Sequence, residues 1–564
     1  MLEIIARSHR GRICKYKDGE NSLNTPVVID LEKSSGSFIS LEPEGRILNF
    51  MGTKVPLDEG MLTTASSVCG GIRGVYGKVC VVRLPVEGTE EIPEDCEVVV
   101  VPNAFELRHD ARKMLDAVIK IRELAGFNRL VYLSGIAEPS TVSLLSYMGV
   151  DIFDDMLPNA AGLMGVRMLA EGEVQTGVEH SQENSKELKG EVEKVKIFIT
   201  SGRLRELVDQ RAVAFPSSVA LLRLFDDQGY EYQEEACTLT GVRFSSNTVQ
   251  SLRRPDVERY RRTLLDRYKK PEHKRILLLL PCSARKPYHT SKSHKAFASV
   301  IHTADHDTLI HEVILTSPLG IVPRELDIIY PASSYDIPVT GEWSCQEKEM
   351  IRSMLSALLE QGYDKVICHF PDYEMIEDLA EMEFTVENGS PTSFESLGNL
   401  DSALREAARG MDLPGYMVER KETLRSVLYY QFGKECADAI MDENTFTTGK
   451  FPYWKIIRED PEDRTKKTQL GMMTPERGMI SLTLEGAEVL SRTGCFTVKM
   501  NDFELKGNLF AVGALEADPN IRIGDEVVII RNGEVAGVGV ADMCGREMVQ
   551  MVRGMAVRVR HKAK

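Results

Sequence analysis

The sequence has no long apolar run and no recognisable leader segment. Among its 564 residues, no stretch reaches the roughly eighteen apolar residues that a membrane-spanning helix needs. The first residues show neither the apolar core nor the small-residue cleavage site of a signal peptide. We therefore expect a cytoplasmic protein with no membrane partner.

Paired cysteine motifs are also missing. The eleven cysteines are scattered, and no two stand at C-x-x-C spacing. An odd number in a long chain disfavours a disulfide framework, and the spacing disfavours a tetrahedral zinc site. We expect most of these thiols to be small buried apolar groups, and we expect no metal and no cofactor.

Acidic residues outnumber basic residues overall, but the basic residues are concentrated in one segment. The formal net charge of −16 disfavours indiscriminate coating of nucleic acid. Residues 251–295 nevertheless carry fourteen Lys and Arg against four Asp and Glu. This concentration indicates a local RNA-binding surface, although a solvated helix face would have the same composition. The arginines that we expect to contact phosphates here are Arg253, Arg254, Arg261 and Arg262.

Strands and helices alternate in two parts of the chain, which predicts parallel sheets with crossover helices. The second part opens with five consecutive aliphatic residues at 276–280, typical of a strand buried on both faces. Its helix at 343–361 begins with a capping box formed by Ser344 and Glu347. The predicted strands are 98–102, 130–133, 150–153, 275–281, 313–318 and 365–371.

The remaining segments are less regular. The polar stretch 179–193 has no apolar period, so we expect a surface loop or linker there. Residues 204–268 are mainly helical in pattern, and 401–485 form a mixed segment. From 486 onward, short strands alternate with turn signals such as Asn532-Gly533, which predicts a small β-barrel.

The densest polar cluster follows the first strand of the second α/β part. Residues 281–297 contain a thiol, a phenol, imidazoles, hydroxyls and several cations. Ligands of parallel sheets bind beyond the carboxyl ends of the strands, and a purely structural loop needs turn formers instead. The residues that we expect to contact a substrate here are Ser283, Arg285, Tyr288, Ser291 and Ser293.

Three side chains of this loop are candidate catalysts. Cys282 lies among cations, which we expect to lower its pKa and so favour the thiolate that attacks a soft electrophilic carbon. Lys286 or His294 could deliver the proton that such an attack requires. The structural alternatives are a buried strand-end thiol, a phosphate contact at Lys286 and a hydrogen-bonding or capping role at His294.

Polar and aromatic residues also follow the second strand, at 316–325 and 330–343. Loops of this length inside a compact domain are usually functional. Carboxylates and a guanidinium there could read a heterocycle or an amino-acid donor, and the aromatic rings could stack on a base. The residues assigned to this role are Arg324, Glu325, Tyr335, Asp336, Glu342 and Trp343, of which Asp336 is also a candidate catalyst and Trp343 could simply anchor a helix.

The run Pro-Cys-Ser-Ala-Arg-Lys-Pro-Tyr-x-x-Ser-x-Ser-His at 281–294 resembles the signature of the archaeosine synthase family. The motifs at 316–326 and 335–343 follow in the family's order, and the resemblance spans nearly the whole chain. It implies a transferase that adds an amine donor (lysine, or else glutamine or ammonia) to the nitrile of 7-cyano-7-deazaguanine in the D-arm of tRNA. In some members, a radical-SAM partner enzyme then completes archaeosine.

The N-terminal part resembles tRNA-guanine transglycosylase, a (β/α)-barrel enzyme, on residues 1–31 and 149–158. The nucleophilic aspartate of that family would fall on Asp154. The family's Asp-Ser-Gly-Gly-Phe-Gln element and its Cys-x-Cys-x-x-Cys zinc cluster are missing. The resemblance therefore implies a degenerate barrel that serves as a scaffold or positions tRNA.

The C-terminal strands resemble a PUA domain, an RNA-binding module, on Gly513-Ala-Leu-Glu-Ala-Asp, Ile523-Gly-Asp-Glu-Val and the basic end. The resemblance implies phosphate contacts by Arg553, Arg558, Arg560 and Lys562, whose alternative is an exposed basic tail. The predicted fold is thus α/β multidomain. Its four parts are a degenerate transglycosylase-like barrel with a helical extension at 1–265, an α/β parallel-sheet catalytic domain at 266–400, a mixed domain at 401–485 and a PUA β-barrel at 486–564.

Two mechanisms and two other functions stay open from the residues. Cys282 could add to the nitrile and form a thioimidate that the donor amine then displaces. Direct attack by the amine, with Lys286 and Asp336 positioning groups and transferring protons, fits equally. The other functions are an active transglycosylase and a non-catalytic tRNA-binding adaptor, and the sequence leaves homodimer formation open.

Overall fold

The computed structural model describes residues 2–19, 21–31, 39–42, 46–57, 70–86, 91–108, 110–303, 307–338, 342–474 and 476–563. Within these residues, no helix combines the length and the apolar character that crossing a membrane requires. The strands of the N-terminal part are β1 Leu2–Ser8, β2 Gly11–Asp18, β3 Asn21–Asn24, β4 Val27–Ile29, β5 Ile39–Leu41, β6 Ile47–Phe50, β7 Thr53–Pro56, β8 Gly71–Tyr76, β9 Val79–Arg83, β10 Val98–Val101, β11 Leu130–Leu133, β12 Ile152–Asp154, β13 Val166–Leu169, β14 Gly172–Gln175 and β15 Phe244–Ser245. Its helices are α1 Ala111–Ala125, α2 Val142–Tyr147, α3 Met156–Leu163, α4 Ser181–Thr200, α5 Leu204–Arg211, α6 Pro216–Gln228, α7 Tyr230–Glu235 and α8 Pro255–Arg267.

A six-stranded sheet forms the centre of the N-terminal part, in the order β4-β12-β11-β10-β9-β8. Strands β4, β12, β11, β10 and β9 are parallel, and β8 is antiparallel to β9. The predicted parallel sheet is therefore confirmed. Five parallel strands among the described residues, where a full barrel has eight, fit the degenerate barrel that the resemblance implies.

The predicted surface loop at 179–193 is wrong, because this stretch lies almost wholly within the long helix α4. The apolar side chains that α4 buries are Leu188, Val192, Val195 and Ile199, at helical spacing. These apolar residues begin only in the middle of the helix, so the sequence of its polar first half shows no helical periodicity. That half is held by Asn184, whose amide accepts from the Met168 N–H at 2.9 Å and donates to the Val166 carbonyl at 2.8 Å.

The second part is a five-stranded sheet in the order β18-β17-β16-β20-β21. Its elements are β16 Ile276–Pro281, α9 Lys292–Thr303, β17 Ile310–Thr316, β18 Gly320–Pro323, β19 Tyr335–Asp336, α10 Cys345–Leu359, β20 Lys365–Cys368, β21 Glu383–Phe384 and α11 Phe394–Ala407. Leu277 and Leu279 face one apolar cluster and Leu278 and Leu280 the opposite one, which confirms the strand buried on both faces. The capping box at Ser344 is also confirmed.

The C-terminal third contains two further sheets. A four-stranded antiparallel sheet, β22 to β25 in order, precedes a six-stranded sheet in the order β27-β31-β30-β29-β26-β28. Asn532 and Gly533 close the β29–β30 hairpin with φ of +51° and +85°, as the turn signal predicts. The elements are α12 Tyr416–Phe432, α13 Lys434–Ile440, β22 Thr445–Thr448, β23 Lys455–Glu459, β24 Lys467–Thr474, β25 Met479–Leu482, α14 Leu484–Ser491, β26 Thr497–Met500, β27 Leu509–Phe510, β28 Ala514–Ala517, β29 Glu526–Arg531, β30 Glu534–Ala541, α15 Gly545–Gln550 and β31 Met555–Lys562.

Ion pairs dock the last sheet against the N-terminal part. Arg7 of β1 donates to both carboxylate oxygens of Glu547 in α15, at 2.5 and 2.8 Å, and Glu547 is fully buried. Arg522 donates to Glu234 of α7 at 2.8 Å. The last sheet is thus held to the N-terminal part at two points.

Candidate functional site

Cys282 is the first residue beyond the carboxyl end of β16, and its thiol is half-buried. The neighbouring strand β17 ends at Thr316, and the Thr316 hydroxyl favours the ionised form of the thiol. Burial raises the pKa of Cys282, while the nearby Lys286 charge lowers it by a smaller amount. The expectation that surrounding cations lower this pKa is therefore wrong in its net direction, because loss of hydration outweighs the single close cation.

Lys286 reaches back over the same strand ends. Its Nζ lies 4.1 Å from the centroid of the Tyr335 ring, and burial lowers its pKa against the opposing effects of Cys282 and Asp336. The pKa of the thiol thus moves up and the pKa of the amine moves down. Both shifts favour the uncharged forms, and an uncharged amine can accept the proton of a nearby thiol.

A buried network of hydroxyl groups forms the floor below this pair. The Tyr288 hydroxyl donates to the Thr316 hydroxyl at 3.1 Å, and both contact the Tyr335 hydroxyl. Tyr288 and Tyr335 are fully buried, and Lys286 covers the ring of Tyr335. The predictions that Tyr335 stacks on a base and that Tyr288 contacts substrate are therefore corrected, since both rings support the floor from inside the core.

Asp336 lies near Lys286. It has an ion-pair partner that the sequence did not reveal. The Arg243 guanidinium donates to its carboxylate at 2.8 Å, and the two side chains are 64% and 47% exposed. Arg243 directly precedes β15. It lies beside Asp336 because β15 pairs in parallel with β19, which aligns Ser245 with Asp336. The pairing joins residues about ninety positions apart, so no local motif signals it.

His294 lies behind the floor. The prediction that it is catalytic is corrected by its contacts. The Arg324 guanidinium donates to its Nδ1 at 2.8 Å, and its Nε2–H donates to the Pro281 carbonyl at 3.0 Å. Burial, followed by the Arg324 charge, lowers the pKa of His294 to about 3. A neutral ring with both nitrogens engaged holds the end of β16 in place and leaves no nitrogen open to a substrate.

Several predicted substrate contacts are also occupied within the protein. Ser291 is buried and its hydroxyl accepts from the His294 N–H at 3.2 Å, so it caps α9. Ser293 lies 3.3 Å from the Ser291 hydroxyl. Glu325 is buried against Tyr268, on elements away from the thiol, so the prediction that it reads substrate is corrected.

The remaining predicted contacts differ in exposure and in their partners. Arg285 is exposed, and the Ser283 hydroxyl donates to its carbonyl at 2.9 Å. Glu342 is exposed, while Trp343 stacks on Phe370 with ring centroids 5.6 Å apart. Arg324 donates to Glu312 and Asp327 as well as to His294, and is half-buried. It is therefore a positioning residue rather than an open contact.

His289 is a site residue to which the sequence reasoning gave no role. Its Nδ1 lies 3.1 Å from both carboxylate oxygens of Asp327, and its side chain is 40% exposed. The Asp327 carboxylate therefore orients the ring and leaves Nε2 on the outer side. The sequence signal for His289 was a second imidazole in the same loop. Its partner, Asp327, lies 38 residues further along the chain.

A groove of about 670 Å³ lies between α6, α8 and α10. Arg223, Arg253, Arg261 and Arg262 line it, as does Glu347, which accepts from the Ser317 hydroxyl at 2.5 Å beside the end of β17. Arg253 is 57% exposed and lies 3.8 Å from Asp227, and Arg262 is 50% exposed and pairs with Glu258 at 2.8 Å. Arg261 is 12% exposed and occupied by Glu258.

Two of the predicted phosphate contacts are corrected. Arg254 is 1% exposed and paired with Asp256, so it cannot reach a phosphate. Arg560 is held by the buried Glu526, although it lies on the surface strand β31. Arg553, Arg558 and Lys562 are exposed, with Arg558 3.1 Å from Asp542.

Asp154, at the position of the transglycosylase nucleophile, is fully buried. Its carboxylate accepts from the Tyr132 hydroxyl and the Gly135 N–H at 2.7 Å each, and from the Met156 N–H at 3.0 Å. Burial raises its pKa to about 6. A carboxylate with three donors and no exposure serves the fold rather than attack on a sugar carbon.

Three protein-family models match parts of the chain. Residues 257–404 match a domain of unknown function, residues 422–494 match the patch-forming domain C2 of tRNA-guanine transglycosylase, and residues 501–563 match the PUA domain. The first match contains Cys282, Lys286 and Asp336 but begins after Arg243. The last two fit the four-stranded and six-stranded sheets of the C-terminal third.

Curated relatives cover most of the chain. An archaeosine synthase subunit alpha from Thermoplasma acidophilum is 33% identical over 84% of this chain and 90% of its own length. An archaeosine synthase from Haloferax volcanii is 32% identical over 99% of each chain. A tRNA-guanine(15) transglycosylase from Methanothermobacter thermautotrophicus is 25% identical over 80% of this chain and 68% of its own. With that identity and coverage, the chain belongs to the archaeosine synthase family and is a tRNA-modifying transferase of archaeosine biosynthesis.

Proposed function

We propose that this chain adds an amino-acid amine, with lysine as the first choice over glutamine and ammonia, to the nitrile of 7-cyano-7-deazaguanine in the D-arm of tRNA. The observation that carries the proposal is the half-buried thiol of Cys282 with Lys286 beside it at the carboxyl end of β16. A nucleophile paired with an amine of lowered pKa can add to a nitrile and protonate its nitrogen in the same site.

The proposed reaction has two steps. Lys286 takes the thiol proton, the sulfur bonds to the nitrile carbon, and the electron pair of one π bond moves to nitrogen. That nitrogen takes the proton from Lys286, which gives a thioimidate. The donor amine then bonds to the same carbon, the carbon–sulfur bond breaks, and the amine's extra proton returns to the sulfur through Lys286. The product is an amidine, and no electrons are gained or lost.

Asp336 and Arg285 support an amino-acid donor. Asp336 is 47% exposed beside its partner Arg243, and Arg285 is exposed, so a carboxylate and a guanidinium are available to the ammonium and carboxylate groups of an amino acid. Ammonia would need neither group. Asp336 carries a second effect, since its charge opposes the lowering of the Lys286 pKa.

Two surfaces support tRNA binding. Arg253 and Arg262 in the groove, and Arg553, Arg558 and Lys562 in the PUA domain, are positioned to contact phosphates. The relative named a subunit alpha supports a partner protein, which we propose to be a radical-SAM enzyme that cleaves the adduct. We retain the division at 1–265, 266–400, 401–485 and 486–564 as a proposal for the domains.

The experiment is mass spectrometry of nucleosides from tRNA that contains 7-cyano-7-deazaguanine, after incubation with the protein and lysine, glutamine or ammonium in separate tubes. A mass gain equal to one donor is expected with lysine. No gain with any donor would refute the amine transfer.

The Cys282→Ala variant separates the two mechanisms in the same assay. We expect a loss of about 10³-fold or more in rate, since the covalent route is removed. Cys345→Ala, which removes an exposed thiol elsewhere in the domain, is the matched control and should keep full activity. Full activity of Cys282→Ala would establish direct attack by the amine instead.

A further inference from the structure

A short loop in the C2-like unit presents aromatic rings to solvent. The aromatic loop, residues 449–454, joins β22 to β23 and reads Gly-Lys-Phe-Pro-Tyr-Trp. Phe451 is 45% and Tyr453 54% exposed. Burial of rings of this size is strongly favourable, so two exposed rings on one loop indicate a binding surface.

Contacts within the protein give the aromatic loop a fixed shape. The Tyr453 N–H donates to the Lys450 carbonyl at 2.7 Å, and the Arg420 guanidinium donates to the Gly449 carbonyl at 2.8 Å. Gly449 has a φ of +96°, and a Cβ there would lie 2.5 Å from the Tyr453 carbonyl oxygen. Trp454 packs against the core. The exposed rings therefore need little ordering when a ligand binds.

The aromatic loop contacts the reactive loop, residues 282–291, which joins β16 to α9 and carries Cys282. The ring of Phe451 meets the His289 ring edge to face at 6.1 Å, and it meets the Trp454 ring at 5.5 Å. His289 follows Cys282 by seven residues in sequence, and Asp327 fixes its orientation. A ligand seated on Phe451 is therefore adjacent to the segment where we place the reaction.

The charge around the aromatic loop favours an anionic ligand. Residues 448–455 include Lys450 and Lys455 and no acidic residue. Neither lysine forms an ion pair within the part of the chain that the structure describes. Exposed rings flanked by unpaired cations are the arrangement that binds single-stranded nucleic acid, whose bases stack while its phosphates meet the cations.

We propose that the aromatic loop holds an unstacked nucleobase of the tRNA, with Phe451 and Tyr453 against its face and Lys450 and Lys455 beside the adjoining phosphates. The proposal rests on the proposed function, because it assigns the aromatic loop to a base that neighbours the target base in the tRNA. A base held outside the helix keeps the strand open, so that the target base can reach Cys282. Stacking tolerates any base, which suits a site that serves many tRNAs.

The test uses the full chain and a tRNA transcript without the nitrile, so that its outcome does not depend on amine transfer. 2-Aminopurine replaces each D-arm loop base in turn, and its fluorescence reports stacking. The double variant Phe451→Leu with Tyr453→Leu keeps apolar volume without rings, and Phe451→Trp with Tyr453→Phe keeps rings. Ile197→Ala, 65% exposed on α4, is the control for loss of an unrelated exposed apolar side chain.

We expect at least one 2-aminopurine position to be quenched on binding to the wild type, the ring-keeping variant and the control. The leucine variant should lose that quenching and bind roughly 5- to 150-fold more weakly for each base that stacks, with an unchanged melting temperature. Equal quenching and affinity of the leucine variant and the wild type would overturn the proposal. So would equal losses in the leucine and ring-keeping variants, since the loop would then act through packing.

Discussion

At the residue scale, burial acts in opposite directions on the pKa values of two neighbouring groups. It raises the pKa of Cys282 and lowers the pKa of Lys286. In the proposed reaction, the two groups together must hold one transferable proton, because two protons leave no nucleophile and none leaves no acid. A bell-shaped dependence of rate on pH follows from this requirement.

Lys286→Met tests the coupling of the pair. Lys286 lowers the pKa of Cys282, so removing the cation raises that pKa, and thiolate forms only at higher pH. We expect the rate of Cys282 alkylation by iodoacetamide, followed by peptide mass spectrometry, to rise at higher pH in the variant than in the wild type. Cys345 in the same sample should keep its profile. An unchanged profile at Cys282 would show that the two groups are not coupled.

The sequence singles out polar residues near the ends of two strands, and their catalytic roles stay predictions. Cys282 and Lys286 belong to the polar run that follows β16, and Asp336 belongs to the later segment 330–343. His294 was misassigned because its partners, Arg324 and a carbonyl group, are fixed only by the fold. Arg243 could not be found at all, since a pairing of two-residue strands brings it to the site.

At the element scale, long apolar strands and caps were predictable and α4 was not. The strand at 276–280 is recognisable because every residue in it is aliphatic. Helix α4 instead begins with a polar half that a buried amide holds in place, and amphipathic spacing carries no information on such contacts. Here hydrogen bonding replaces apolar burial as the cause of local structure.

Asn184→Ala tests that explanation. The substitution leaves the buried Met168 N–H and Val166 carbonyl without their partner, which costs about 1–3 kcal/mol for each unsatisfied group. We expect hydrogen exchange at Met168 to accelerate by at least about tenfold. Gln182→Ala, an exposed position on the same helix, should change exchange little. Similar exchange in the two variants would mean that the apolar half alone holds α4.

At the scale of the whole molecule, a buried ion pair joins the PUA domain to the N-terminal part. Glu547 is fully buried and Arg7 is 23% exposed at its side chain. A pair with one partner removed from water depends strongly on both members. The orientation of the RNA-binding module relative to the reactive loop is therefore a property of the fold.

A double-mutant cycle on Arg7→Ala and Glu547→Ala measures this attachment. We expect a coupling of about 1–3 kcal/mol in the free energy of unfolding, and each single variant should bind tRNA more weakly because the module loses its orientation. The exposed pair Lys499 and Glu516, with side chains 58% and 69% exposed, is the control, and its coupling should stay below about 1 kcal/mol. Equal couplings in the two cycles would contradict a structural role for the Arg7 pair.

The pairing of β15 with β19 has a consequence for how the candidate site could be excised from the chain. The segment that matches a domain of unknown function begins at residue 257, so it carries the thiol and the amine but not Arg243, the ion-pair partner of Asp336. A recombinant fragment cut at that boundary would therefore present Asp336 without its guanidinium partner. A fragment that preserves the ion pair must begin before Arg243.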